Sequence, residues 1–194
     1  MKIWKKSLLS FAYHGTKISV LHGDIVDQDT DAIVNAANSS LMGGGGVDGA
    51  IHRAGGPSIL QQCLAIRKQE WPNGLPTGKA IITTGGNLRA KYVIHTVGPV
   101  WRGGTKGEKK NLTACHENSL RLAASNNLES ISFPAISTGA YGYPVDLASS
   151  VALNSIKYRM NKIRNHNLKA IRFVLFTIGD YESFIDAARS LFQI

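Results

Sequence analysis

Cysteine is scarce in this sequence, and long apolar runs are absent. The two cysteines, Cys63 and Cys115, fit no disulfide framework, metal site or redox motif by their spacing, and we expect both to be buried thiols in a reducing compartment. No apolar run approaches the roughly 18 residues that a membrane span requires. Residues 1–13 lack the small-residue cleavage site of a signal peptide. These absences exclude a disulfide-rich secreted scaffold and a membrane protein, and they predict a soluble, cytoplasmic chain.

Acidic side chains are also few. The chain of 194 residues has 13 Asp and Glu against 22 Lys and Arg, which gives a net charge of +9. A basic surface attracts phosphates, nucleic acid or acidic membranes. The basic residues are spread over residues 5–6, 106–110 and 157–172 rather than gathered in one run. Two interpretations stay open: a solvated basic surface, and a surface that steers an anionic substrate.

Segments typical of strands and helices alternate along the chain. Apolar segments with β-branched residues predict strands at residues 18–21, 32–36, 80–84, 92–97, 131–134 and 171–177. Helical apolar periods lie at residues 58–70, 111–126, 144–164 and 181–192. This alternation predicts an α/β sheet with helices on both faces. A short turn separates residues 80–84 from 92–97, so these two strands could pair antiparallel and make the sheet mixed.

Two glycine-containing loops follow predicted strands. In the first, a strand ends near Asn35, four consecutive glycines occupy residues 43–46, and a helix begins near Asp48. Glycine lets the backbone approach a ligand closely, and a helix N-terminus favours phosphate. The second loop, residues 137–144, also lies between a strand and a helix and offers hydroxyl and N–H groups. Two anion-binding loops at one sheet edge predict a diphosphate held between them.

Residues 44–49 match the G-x-G-x-x-G pattern of dinucleotide-binding folds. That fingerprint requires its first glycine at the end of a strand. Here the polar segment 38–42 intervenes. The P-loop pattern is absent as well, so we reject both interpretations.

A group of polar side chains surrounds the first loop. Asp48 and His52 are four residues apart at a helix start, which places them on one face, and Asn38 lies upstream. An amide, a carboxylate and an imidazole beside a phosphate loop can orient a sugar and activate water. Asp48 could instead be a helix cap, and His52 could be a packing residue. The remaining histidines share no metal-binding spacing and are interpreted as structural; they are His14, His22, His95, His116 and His166.

Five segments together resemble the macrodomain family, in particular its MacroD-type branch. They are residues 23–25, 33–38, 43–52, 98–101 and 137–144. The resemblance runs from Lys17 to Phe192 and implies a single macrodomain over residues 1–194, with residues 1–15 as an N-terminal extension. The fold that it implies is a three-layer α/β/α sandwich around a mixed central sheet of about six strands.

The resemblance also implies roles for individual residues. Asp24 accepts a hydrogen bond from the adenine amino group beside Ile25, and Phe176 packs on the adenine. The diphosphate lies in a cradle formed by Ser137, Thr138, Gly139, Ala140, Tyr141 and Gly142, which Gly45, Gly46 and Val47 close from the other side. Tyr141 also positions the distal ribose, and Asn35 belongs to the substrate-binding set. Asn38 and Asp48 form the catalytic pair, with His52 in support.

The implied function is that of an ADP-ribose-binding hydrolase. Its substrates would be mono-ADP-ribose esters of protein Asp or Glu carboxylates, O-acetyl-ADP-ribose, or both, and its partners ADP-ribose and ADP-ribosylated proteins. The resemblance implies a monomer that needs no cofactor and no metal. Two alternatives remain: a non-catalytic ADP-ribose-binding module, and a poly(ADP-ribose) or nucleic-acid binder suggested by the net charge. Residues 177–180 and His116 depart from the family pattern and bear on the adenine end.

Overall fold

A computed structural model describes residues 8–162 and 167–194. Within this part of the chain the strands are β1 Leu8–Tyr13, β2 Thr16–His22, β3 Ala32–Ala37, β4 Ala80–Thr84, β5 Tyr92–Val97, β6 Ser130–Phe133 and β7 Ala170–Leu175. The α-helices are α1 Gly46–Gly55, α2 Pro57–Gln69, α3 Glu108–Ser125, α4 Val145–Lys162 and α5 Ile178–Phe192. The four predicted helices and six predicted strands are thus present with small shifts at their ends. The predicted end of α4, at residues 163–164, lies outside the described residues.

The strands form one mixed sheet in the order β1-β2-β7-β6-β3-β5-β4. The neighbours from β2 to β5 are parallel, while β1 and β4 pair antiparallel at the two edges. The predicted antiparallel pairing of residues 80–84 with 92–97 is therefore confirmed.

Strand β1 is the element that the sequence did not predict. It lies within the segment interpreted as an N-terminal extension, and it pairs with β2 through Leu8↔Leu21 to Tyr13↔Thr16. Its sequence, LLSFAY, contains no β-branched residue, and every second side chain of the strand is exposed to solvent. It therefore lacks the pattern that predicts a buried strand. The sheet consequently has seven strands where about six were expected.

Helices cover both faces of the sheet, which gives three layers. Because side chains alternate along a strand, Ile33 of β3 packs into a core with α1 and α2, while Val34 packs into a core with α3, α4 and α5. Cys63 lies in the first core and Cys115 in the second, and both are free and buried. No helix of the described part is both long and apolar enough to cross a membrane.

Parallel pairing brings the informative loops together. Strands β2, β7, β6 and β3 are parallel neighbours, so their carboxyl ends meet at the same edge of the sheet. Ligands of open α/β sheets bind at this edge. The segments that follow these strands begin at residues 23, 176, 134 and 38, and each contains residues singled out from the sequence.

Candidate functional site

A cleft runs along the carboxyl edge of the sheet. It consists of a cavity of ≈330 Å³ next to Asp48 and a cavity of ≈380 Å³ next to Asp24. Both are lined by Gly46, Val47 and Gly139, so the two cavities share a wall at the middle of the cleft. Their sizes fall within the range of small-molecule sites.

The N-terminus of α1 forms one wall of the middle of the cleft. The helix begins at Gly46, and its N-cap residue Gly45 has no side chain to cap it. The first backbone N–H groups of a helix have no acceptor within the helix, and the helix dipole adds partial positive charge there. Gly45, Gly46 and Val47 line the cavity, so this wall suits an anion.

The loop after β6 forms the opposite wall. Ser137 has a left-handed backbone (φ +70°), a conformation that costs energy for a residue with a side chain and is often kept at functional sites. The loop is held by hydrogen bonds from Tyr143 N to Ser137 O at 3.0 Å and from Trp101 N to Tyr141 O at 2.8 Å. The buried Ser137 hydroxyl has no hydrogen-bond partner among the described residues. Ser137 also lines the cavity next to Asp48.

Close backbone packing at Gly44 fixes the polar end of the cleft. A Cβ atom at this position would lie 3.2 Å from both Asn38 Nδ2 and Asp48 Oδ2, which explains why a glycine stands there. Asn38 Nδ2 donates to Gly43 O at 2.9 Å and to Asp48 Oδ2 at 3.2 Å. Asn38 and Asp48 both line the cavity, so the predicted pair meets in space.

Asp48 is a buried carboxylate with few charged neighbours. Its residue is only 4% exposed, and its Oδ1 accepts a hydrogen bond from Asn35 Nδ2 at 2.7 Å. His52 Nε2 lies 3.4 Å from the same oxygen. Burial raises the pKa of the Asp48 carboxyl above its ordinary value, and the Asn35 hydrogen bond and the His52 charge oppose that rise. This carboxylate is consequently more basic than an exposed one.

Asn35 connects Asp48 to a buried histidine that the sequence analysis left as structural. Residues 35 and 95 are paired in the β3–β5 register, and Asn35 Nδ2 lies 3.1 Å from His95 Nδ1. Burial lowers the pKa of His95 to about 3, so its ring is neutral. Because Nδ1 accepts from the Asn35 amide, Nε2 carries the proton and faces Thr83 Oγ1 at 2.9 Å. A buried chain of polar groups thus supports Asp48 from behind.

The far end of the cleft contains the residues expected at adenine. Asp24, the buried Ile25 and the half-exposed Phe176 line this cavity. Asp180, which belongs to the segment 177–180 expected to bear on the adenine end, lines it as well, and so does Arg53, which the sequence analysis did not select. Arg53 could have been found, because the helical spacing of Gly46, Ala50 and Arg53 places all three on the cavity side of α1.

Three of the predicted site residues do not line either cavity. Asn35 and His52 lie behind Asp48, and Gly142 lies in the loop turn, where its N–H donates to Gly139 O at 2.9 Å. Thr138, Gly139, Ala140 and Tyr141 line the cleft with Ser137.

His116, which departs from the family pattern, does not line the cavity next to Asp24. It is buried on α3, with its ring centroid 5.3 Å from that of Phe133 and 6.5 Å from that of Phe173. His116 therefore lies outside the set of residues that line the cavity where adenine is expected.

A larger cavity of ≈700 Å³ lies between α3 and α4, around Trp101, Tyr143 and Tyr158. Neither the α1 N-terminus nor Asp48 lines it. The sheet-edge cleft, in contrast, combines the α1 N-terminus with the buried Asp48 carboxylate, although each of its two cavities is smaller.

Comparisons with known proteins agree with this geometry. Residues 34–152 match the family model of the Macro domain. The O-acetyl-ADP-ribose deacetylase of Citrobacter rodentium is 57% identical over 141 residues, which cover 73% of this chain and 78% of that protein. The Oceanobacillus iheyensis macrodomain with ADP has a TM-score of 0.92 at 39% identity, covering 96% of this chain and 97% of that one. The Trypanosoma brucei macrodomain in complex with ADP-ribose has a TM-score of 0.79 at 39% identity, covering 88% and 68%.

The family model spans more than half of the chain, and it includes both anion-binding loops and Asp48. The mixed sheet between two helical layers is shared with structures of that family. The chain therefore belongs to the macrodomain family.

Proposed function

We propose that this protein binds ADP-ribose and hydrolyses esters at its distal ribose. The substrates are proteins that carry mono-ADP-ribose on Asp or Glu carboxylates, and O-acetyl-ADP-ribose. The observation that carries the proposal is the buried Asp48 carboxylate, which lies beside Asn38 at one end of a cleft whose middle has two anion-binding walls.

The two adjoining cavities, with the α1 N-terminus and the Ser137 loop between them, support an extended ligand with a central diphosphate. Adenine occupies the Asp24 end, where the carboxylate accepts from the exocyclic amino group and Phe176 packs on the ring. The diphosphate lies between the uncapped α1 N-terminus and the loop at Ser137, and Tyr141 positions the distal ribose. Similar proteins described with ADP or ADP-ribose, and one named O-acetyl-ADP-ribose deacetylase, support a ligand of this kind.

The chemistry follows from the placement of Asp48. Asn38 holds a hydroxyl of the distal ribose, and the Asp48 carboxylate accepts a hydrogen bond from the attacking water. Burial raises the pKa of Asp48, which brings the carboxylate closer to the range of an effective general base. Water adds to the ester, the ester bond breaks, and the products are the free ribose hydroxyl and a carboxylic acid. Asn35 and His52 position the carboxylate from behind.

A binding module without turnover is the second candidate. A module of that kind needs only the adenine and diphosphate contacts, whereas this chain also places Asn38 and Asp48 together at the ribose end. That pairing favours the enzyme.

The test is incubation of the full chain with O-acetyl-ADP-ribose and with a protein mono-ADP-ribosylated on carboxylates. We expect release of acetate from the first substrate and of ADP-ribose from the second. Tight ADP-ribose binding with no release from either substrate would establish the binding module instead.

A further inference from the structure

Three side chains that bind soft metal ions meet behind Asp48. They are His52 on α1, Cys63 on α2 and His95 on β5, and one nitrogen or sulfur atom from each lies within 4.8 Å of the others. Cys63 Sγ is 3.8 Å from His95 Nε2. Their separations in sequence match no metal motif, and only the fold brings the three side chains together.

We propose that His52, Cys63 and His95 form a site for a thiophilic divalent cation such as Zn²⁺, and that the bound ion blocks the hydrolysis of ADP-ribosyl esters. The site itself stands on geometry alone. The inhibitory effect also rests on the proposed hydrolase function.

The donor set suits zinc. Zinc binds cysteine sulfur at about 2.3 Å and histidine nitrogen at about 2.0–2.1 Å in a tetrahedral arrangement, which places neighbouring sulfur and nitrogen ligands about 3.6 Å apart. The separation of 3.8 Å between Cys63 Sγ and His95 Nε2 already meets this requirement. The widest separation, up to 4.8 Å, has to shorten by roughly 1 Å, which small side-chain rotations can supply.

The Asp48 carboxylate borders the three-residue cluster and provides the entry route. Its Oδ1 lies 3.4 Å from His52 Nε2, which makes it the nearest candidate for a fourth ligand. Asp48 also lines the cleft, so an ion arriving from the cleft meets this carboxylate first. His52 Nε2 is buried and has no hydrogen-bond partner among the described residues. Its coordination therefore breaks no protein hydrogen bond.

Occupancy has a cost at two of the ligands. The Cys63 thiol must release its proton to solvent as its sulfur binds the ion, and burial, which raises the pKa of this thiol, opposes that loss. The second cost is at His95. The ion must replace the 2.9 Å contact between His95 Nε2 and Thr83 Oγ1. A metal-bound imidazole keeps its proton on the other nitrogen, so the Asn35 amide has to turn and present its oxygen to His95 Nδ1. That oxygen is buried and without a partner among the described residues, so it gains a hydrogen bond. The turn withdraws Asn35 Nδ2 from Asp48 while the ion occupies the carboxylate, and both changes stop the reaction.

The first test is a titration of the full chain with Co²⁺ alone, followed by competition with Zn²⁺. Thiolate coordination produces a near-ultraviolet charge-transfer band, which we expect at one ion per chain in the wild type. The variant Cys63→Ala removes the sulfur ligand and should abolish the band. The matched control is Cys115→Ala, because Cys115 is equally buried but lies in the other core, and this control should keep the band. An absent band in the wild type, or a band that survives in Cys63→Ala, overturns the site.

The second test uses turnover. We expect Zn²⁺ to inhibit the wild type and Cys115→Ala at the same concentration. Inhibition of Cys63→Ala should need a Zn²⁺ concentration higher by more than about tenfold, because even the loss of a residue that only hydrogen-bonds to a metal ligand lowers metal affinity by about that factor. Equal inhibition of all three proteins would overturn the inhibitory effect. A chain with no hydrolase activity contradicts the proposed function, whereas the Co²⁺ titration still decides the site.

Discussion

Asn35 Nδ2 donates a buried hydrogen bond of 2.7 Å to Asp48 Oδ1. Asp48 lines the cleft, whereas Asn35 does not. Asn35 comes from β3 and Asp48 from the first turn of α1, so the bond ties the carboxylate to the sheet. The same amide nitrogen faces His95 Nδ1. In the proposed mechanism Asn35 therefore acts through Asp48 and not through contact with the ligand.

The variant Asn35→Leu tests this positioning role. A hydrogen bond to a charged group contributes about 1.5–3 kcal/mol, so kcat for ester hydrolysis should fall roughly ten- to a hundredfold. The ADP-ribose affinity should change by less than about threefold, as expected for a residue away from the ligand. Steady-state kinetics and calorimetry measure both quantities. The exposed amide Asn154 on α4 provides the control Asn154→Leu, and a loss of affinity at unchanged kcat would contradict the role.

Asp24 should determine the preference for adenine. An unmet hydrogen-bond donor in a buried site costs about 1–3 kcal/mol, so Asp24→Ala should weaken ADP-ribose binding by roughly five- to a hundredfold. The variant should also lose the preference for ADP-ribose over its hypoxanthine analogue, which lacks the amino group. Calorimetry with both ligands measures this preference. The neighbouring exposed Asp27→Ala is the control, and a preference that persists in Asp24→Ala would place adenine elsewhere.

Gly139 tests the diphosphate position. A Cβ atom there would meet no protein atom within 4 Å, and the backbone needs no positive φ; the residue lines both cavities. Gly139→Val should therefore fold normally but weaken ADP-ribose binding by more than about tenfold, because the added atoms compete with the ligand for space. Gly179 has the same freedom but lines neither cavity, so Gly179→Val is the control. Equal affinities of the two variants would argue against a ligand at Gly139.

Much of the fold can be predicted from the local sequence pattern, and there is a physical reason why β1 cannot. Strands such as Tyr92–Val97 are buried and apolar, so their pattern is strong. Leu8–Tyr13 forms a half-exposed edge strand without β-branched residues, so it carries no such signal. Its place in the sheet is set by pairing with β2, a tertiary contact that local propensity does not encode.

Some residues of the candidate site could likewise be predicted from the sequence, and others could not. Asn38, Asp48 and the two loops are recognisable because each lies within one short segment at the end of a strand. The contact between Asn35 and His95 depends on the register of β3 with β5, and these strands are separated by two helices and another strand. Cys63 joins them only through the packing of α2 on the sheet. No spacing rule connects these residues, and for that reason the sequence left His95 and Cys63 as structural.

His116 should make the free energy of unfolding depend on pH. Burial lowers its pKa to about 4 in the folded protein, whereas a histidine in the unfolded chain titrates near 6.5. As the pH falls below about 6.5, the unfolded chain binds a proton that the folded protein does not, so stability decreases until the pH reaches the folded pKa. The full effect is about 3 kcal/mol.

The variant His116→Phe removes this contribution and also a buried Nε2 atom without a hydrogen-bond partner among the described residues. The stability lost between pH 7 and pH 4.5 should be about 2–3 kcal/mol smaller than in the wild type. Urea unfolding at the two pH values measures the difference. An unchanged pH dependence in His116→Phe would show that His116 is not responsible.

Hydrolysis by Asp48 is tested most directly by release of ADP-ribose from a carboxylate-modified protein, measured for the wild type and Asp48→Ala, with calorimetric binding of free ADP-ribose to both. We predict that turnover falls by at least about a hundredfold in the variant, the usual contribution of a positioned acid–base group, while the affinity for ADP-ribose stays within about threefold. Equal turnover by the two proteins would contradict the role of Asp48. Tight binding without turnover by the wild type would contradict the hydrolase itself.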